Sequence, residues 1–146
     1  MDYQIVPVTG DTIKAATGLL ASYDLPTEDL HHPEVSLFAL KKEGEEQILG
    51  TIGLEKHGTF GLLRSLAVSP VGRGKKLGER LVAFLEQEVR THNLEALYLL
   101  TTTAAPYFEK IGFLVVDRME VPLAIQQTRE FADLCPASAV VMRRDC

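Results

Sequence analysis

Residues Val68 to Gly78 constrain this chain more than any other segment. An apolar strand candidate, Leu62 to Val68, is stopped by Ser69-Pro70 and turns through Val71-Gly72-Arg73-Gly74-Lys75-Lys76. A helix is predicted directly after it, from about Leu77 to His92, with Leu77, Leu81, Phe84, Leu85 and Val89 as its apolar stripe. The first amides of a helix lack partners inside it, and the aligned peptide dipoles leave a partial positive charge there. Gly72 and Gly74 let the main chain approach a ligand closely, while Arg73, Lys75 and Lys76 add positive charge. A turn of this make suits phosphate groups.

Two common phosphate sites are excluded. A P-loop ends in Gly-Lys-Ser or Gly-Lys-Thr, whereas Gly78 is followed by Glu79-Arg80. A dinucleotide fold needs a parallel βαβ unit with an acidic residue closing its second strand. Here the strand before the loop leaves a hairpin, and the strand after the helix runs into Thr101-Thr102-Thr103.

Upstream, Ile5 to Val8 reads as a first strand. Asp11 or Thr12 is placed to cap a helix carrying Ile13, Ala16, Leu19 and Leu20. Leu25 to Glu34 reads as a loop. Strands Val35 to Leu40, Ile48 to Glu55 and Leu62 to Val68 follow with short polar turns, which predicts an antiparallel meander. Downstream come a fully apolar strand, Ala96 to Leu100, and a short helix capped by Thr103 and ended by Gly112. Then come a strand from Phe113 to Val116, a helix from Pro122 to Leu134 stopped by Cys135-Pro136, and a last strand from Ala139 to Met142. The pattern predicts an α/β mixed sheet with helices on its faces, built as one domain over residues 1–146.

With 46% hydrophobic and 24% charged residues, a chain of 146 residues can bury a sizeable core without staples. A net charge of −5 disfavours nucleic acid or an anionic membrane as partner. No apolar run reaches the roughly 20 residues of a membrane span, and the first residues do not read as a signal peptide. The two cysteines, Cys135 and Cys146, do not make a disulfide framework. Together these suggest a cytoplasmic protein. His31 and His32 have no matching ligand cluster, so no metal site is expected.

The segment Arg73-Gly74-Lys75-Lys76-Leu77-Gly78, after Leu66-Ala67-Val68-Ser69-Pro70, resembles the acyl-CoA motif of the GNAT acetyltransferases, Arg/Gln-x-x-Gly-x-Gly/Ala. Arg73 and Gly78 match its ends, and Lys76 replaces its middle glycine. Ala105 to Phe113 is similar to the family's helix ending in Gly-Phe. Leu63 to Val68, Leu99 to Thr103 and Phe131 to Ala139 are similar to a bacterial branch of arsenic-resistance N-acetyltransferases related to N-acetylglutamate synthase domains.

The resemblance implies a GNAT fold with a mostly antiparallel mixed sheet, acetyl-CoA as co-substrate, and direct attack by the amine of a small amino-acid-like substrate. It implies a splayed strand whose Leu66 and Val68 offer main-chain bonds to the pantetheine, with Ala67 between them. The Val68 amide would hold the developing oxyanion. The diphosphate would rest on Arg73, Gly74, Lys75, Lys76, Leu77 and Gly78. Thr101 would lie beside the thiol end. Phe108 occupies the position where many family members carry a tyrosine acid. Tyr107, one helical step away, is expected to face elsewhere. Such proteins often pair as homodimers.

Glu55 is the candidate base for the amine proton. By strand pairing, it and Arg64 are expected to project together. Arg64, inside an apolar strand, needs a carboxylate. That carboxylate is either a protein group such as Glu55 or a substrate carboxylate held in two prongs. Cys135 is either a core residue or a soft ligand for a thiophilic metalloid.

Overall fold

A computed structural model describes residues 2–128, 131 and 139–146. Its elements run β1 (Tyr3–Pro7), α1 (Ile13–Ser22), β2 (Val35–Lys42), β3 (Ile48–His57), β4 (Phe60–Val68), α2 (Leu77–Thr91), β5 (Ala96–Thr101), α3 (Ala105–Lys110), β6 (Leu114–Val116), α4 (Leu123–Gln126) and β7 (Val140–Asp145). The strands form one sheet in the order β1-β2-β3-β4-β5-β7-β6. Strands β1 to β4 make the antiparallel meander that the short polar turns predict. A crossover through α2 sets β5 parallel to β4, and β7 returns antiparallel between β5 and β6.

Alternation along the strands covers both faces of the sheet. Ile52, Leu54, Leu63, Leu97 and Leu99 pack under Leu81, Leu85 and Val89 of α2. Their neighbours in sequence point the other way. Leu62, Ala96 and Tyr98 meet Ile125 of α4, and Leu37 and Ala67 meet Ala16 and Leu20 of α1. Leu81 and Leu85 are wholly buried, and each such side chain contributes about 2 kcal/mol by leaving water. Beyond α2, Asn93 takes a left-handed conformation (φ 56°). The amide of Leu94 returns to the Val89 carbonyl at 3.1 Å, a closure that stops the helix where the sequence suggests.

Two local expectations are corrected. Thr12 is the residue before α1, but its hydroxyl accepts from the Thr9 amide (2.9 Å) instead of capping the helix. Ala104, not Thr103, precedes α3, because Thr101 Oγ1 already accepts the Ala104 amide at 3.0 Å. Of the helix expected from Pro122 to Leu134, the described residues include one turn, Leu123–Gln126, and most of the remainder lies outside them. Cys135 and most of the segment around it lie outside the described residues.

Candidate active site

A bulge in β4 creates the site. The β3–β4 register passes from Thr51 opposite Ala67 to Gly53 opposite Arg64, so Ser65 and Leu66 stand against Ile52 alone. Ser65 adopts a left-handed φ of 58°, and Thr51 Oγ1 pins its carbonyl at 2.9 Å. A bulge bends its strand and increases its twist. Strand β4 accordingly parts from β5, and the two pair only at Phe60–Leu62 with Ala96–Tyr98. Past that point β5 remains paired on its other side with β7. The gap is a cleft of about 860 Å³, walled by Leu66, Val68, Arg73, Leu99, Thr101 and Tyr107 among others.

Strand register decides which main-chain groups face this cleft. The Ser69 amide donates to the Leu49 carbonyl (2.8 Å), and the next pair along is Val68 with Gly50. Hydrogen-bonded and non-bonded pairs alternate in an antiparallel ladder. Val68 is therefore a non-bonded residue, with its N–H and C=O turned away from β3. Its carbonyl accepts the Tyr23 hydroxyl at 2.6 Å. Arg73 Nη2 donates to that same hydroxyl at 2.8 Å.

The basic loop lies at the cleft mouth. Pro70–Gly72 forms a short 3-10 turn, with Ser69 Oγ accepting the Val71 amide. Gly74 (φ 79°) and Lys76 (φ 57°, ψ 33°) both take left-handed backbone just before α2. Lys76, which fills the family's glycine position, thus adopts the conformation that glycine tolerates best. Arg73, Lys75 and Lys76 are exposed. Leu77 and Ala67 are core side chains, so only their main chain can serve a ligand. Gly72 is needed for packing, because a Cβ there would lie 2.7 Å from Leu77 Cδ1.

Tyr107 does not face elsewhere: it lines the cleft. The Tyr107 ring stands edge-on to Phe108 (5.3 Å), and Phe108 is edge-on to Phe113 (5.8 Å) in the core. Gly78 leaves the notch that receives the phenol, since a Cβ there would lie 2.7 Å from the hydroxyl oxygen. That hydroxyl is buried and has no hydrogen-bond partner among the described residues. Burial, and secondarily the charge of Glu79, push the phenol pKa above its ordinary value. Phe108 also borders the cleft but offers no polar atom.

Arg64 and Glu55 do project together, and the geometry revises the role of each. Arg64 Nη1 and Nη2 each meet an Asp29 oxygen at 2.6 Å, and Nη1 also meets Glu55 Oε1 at 2.9 Å. The guanidinium is fully buried. A substrate carboxylate would have to displace Asp29, so the two-pronged contact belongs to the protein itself. Glu55 Oε2 meets His57 Nε2 at 2.6 Å, and His57 Nδ1 meets Glu34 at 2.8 Å. Glu55 is not among the residues lining the cleft. Its carboxylate belongs to an ion network joining β3, β4 and the α1–β2 loop, and not to the cleft wall as a base would.

Nothing in the sequence marks the roles of Asp29, Tyr23 and His57. Their partners are 35, 45 and as few as 2 residues away, with no shared spacing or motif to mark them.

A mixed seven-stranded sheet that splays beside a helix N-terminus places the chain in the α/β class. Residues 13–113 match the acetyltransferase (GNAT) family, and the chain belongs to that family. An IAA acetyltransferase of Azospirillum brasilense is 29% identical over 93 residues, which is 61% of each chain. An acetyltransferase of the GNAT family from Staphylococcus aureus superposes with a TM-score of 0.81 at 18% identity, covering 99% of both chains. N-acetylglutamate synthase from Neisseria gonorrhoeae, solved with coenzyme A and L-arginine, gives 0.80 at 21% identity, covering 98% of this chain and 33% of that one. The shared architecture is the GNAT fold. Among the described residues no helix is long and apolar enough to cross a membrane.

Proposed function

We propose that this chain transfers the acetyl group of acetyl-CoA to the amine of a small molecule by direct attack. The observation that carries the reading is the Val68 amide, turned into a cleft whose mouth is the basic turn before α2. The diphosphate rests on main-chain donors of Arg73 to Gly78, as the resemblance implies. The pantetheine runs along Leu66 and Val68 and past Thr101.

The amine enters as its free base, having lost its proton to water in the open cleft. Its lone pair attacks the thioester carbonyl carbon, forming the C–N bond. The Val68 N–H takes the charge that develops on oxygen. The C–S bond then breaks, Tyr107 gives its proton to the departing sulfur, and the proton shed by the attacking nitrogen passes through water to restore the phenol. The phenol is protonated at neutral pH, so the proton is in place when the thiolate leaves.

Arg64 is committed to Asp29 and Glu55, so an acceptor carboxylate must find its anchor elsewhere. The likeness to the arsenic-resistance branch rests on sequence segments alone, and its thiol, Cys135, lies outside the described residues. A cytoplasmic setting suits the co-substrate. Pairing of two copies at a sheet edge suits β6, where Leu114 and Val115 are exposed. A non-catalytic sensor is the weaker reading, since Tyr107 puts a proton donor in the cleft.

Calorimetry with CoA, followed by a thiol-release assay with acetyl-CoA and a panel of amines, tests the reading. Binding heat together with turnover of at least one amine is the expected result. No heat with CoA would sink it.

A further inference from the structure

We infer that Tyr23 is a positioning residue for the oxyanion donor, an inference that rests on the acetyltransferase reading above. Tyr23 follows α1 and lines the cleft. Its hydroxyl donates to the Val68 carbonyl at 2.6 Å, across 45 residues of sequence. The peptide that carries this carbonyl is held at its other end by the Ser69 amide on Leu49, 2.8 Å away. On the preceding side, Ala67 pairs with Thr51. Val68 is thus bracketed by anchored main chain on both sides, and its own N–H is left as the group directed at the gap.

Without Tyr23 the outer side of Val68 would have no hydrogen-bond partner among the described residues, because β5 has already left β4. The splay that opens the cleft also removes the neighbouring strand that would ordinarily fix this segment. Tyr23 replaces that strand at one point. A donor fixed in advance at the developing oxyanion lowers the barrier without reorganising during the step.

Arg73 orients the hydroxyl. Its Nη2 donates to the Tyr23 oxygen at 2.8 Å, which leaves the phenolic proton directed at Val68. The guanidinium also lies 5.8 Å from the Tyr23 ring centroid. A residue of the diphosphate turn is thereby tied to the geometry of the acyl end.

Tyr23→Phe keeps the ring and removes only the hydroxyl. Loss of a complete oxyanion donor costs about 10²–10³ in kcat, so a loosened donor should cost about tenfold. The expected result is that fall in kcat, with the Kd for CoA unchanged within about twofold. In the unliganded protein, the carbonyl ¹³C resonance of Val68 should move upfield, while core amides such as Leu81 keep their shifts. An unchanged kcat, or a Val68 carbonyl resonance that does not move, would overturn the assignment. So would a loss of CoA affinity equal to the loss of turnover. If the unsubstituted protein turns over no amine, the acetyltransferase reading falls and the assignment falls with it. Intact wild-type turnover with an indifferent Tyr23→Phe overturns the assignment alone.

Discussion

The guanidinium of Arg64 grips both carboxylate oxygens of Asp29, each at 2.6 Å, with its side chain wholly out of solvent. Asp29 belongs to the loop between α1 and β2, so this pair fastens that loop to the floor of the sheet.

Removing the Asp29 charge takes away the two-pronged acceptor of a buried guanidinium and leaves Glu55 to compensate it. Asp29→Asn should therefore destabilise the fold by about 1–3 kcal/mol, read by urea unfolding. The double replacement Asp29→Leu with Arg64→Met removes both charges. It also takes the guanidinium from Glu55, so it should recover only part of that loss while still showing strong non-additivity in a mutant cycle. Additive losses would mean that the two side chains act separately.

Glu55 distinguishes a structural carboxylate from a base. Glu55→Gln keeps the shape but weakens the contacts to Arg64 and His57. A destabilisation of about 1–3 kcal/mol is expected. The pH dependence of kcat/KM should keep its acid limb, since the group does not line the cleft. Disappearance of that limb would return Glu55 to the role of base.

Tyr107→Phe should push stability and activity in opposite directions. The unpartnered buried hydroxyl costs about 1–3 kcal/mol of desolvation, so its removal should raise the melting temperature of the unliganded protein. Turnover should fall by about 10²-fold if the phenol is the acid, chiefly in kcat. The raised pKa also fixes a pH window. Below pH 10.0, the phenol's ordinary value, it is protonated whether the chain is folded or not, and its contribution is constant. As pH rises from there through the higher folded value, the unfolded chain ionises first and this stability is lost. In Tyr107→Phe that alkaline loss should shrink.

Lys76 and Gly78 carry opposite demands for glycine. A left-handed non-glycine residue costs about 1–2 kcal/mol, so Lys76→Gly should stabilise the protein by a similar amount in thermal unfolding. Gly78→Ala should destabilise it, because the new methyl meets the Tyr107 hydroxyl. Combining it with Tyr107→Phe should relieve that contact. A Gly78→Ala penalty that persists in the double variant would place the clash elsewhere.

Much of the fold was legible because its signals are local. Period-two and helical apolar spacing place β2 to β5 and α2, and the glycines, Arg73 and the two lysines mark the turn between β4 and α2 within a few residues. The turns at Gly58 and Asn93 take positive φ, as their composition suggests. Thr103 follows two other threonines, and backbone geometry alone decides which hydroxyl meets the Ala104 amide.

By itself the sequence determined the order of elements, the apolar faces and the glycine-rich basic turn, since each follows from residues adjacent on one strand or one helix. Tertiary structure alone decided the rest. It brought Asp29 to Arg64 and Tyr23 to Val68 across long stretches of chain, and it turned Tyr107 into the notch beside Gly78. The physical reason is that the bulge at Ser65 sets the direction of β4, and side chains far apart in sequence meet only after that bend exists.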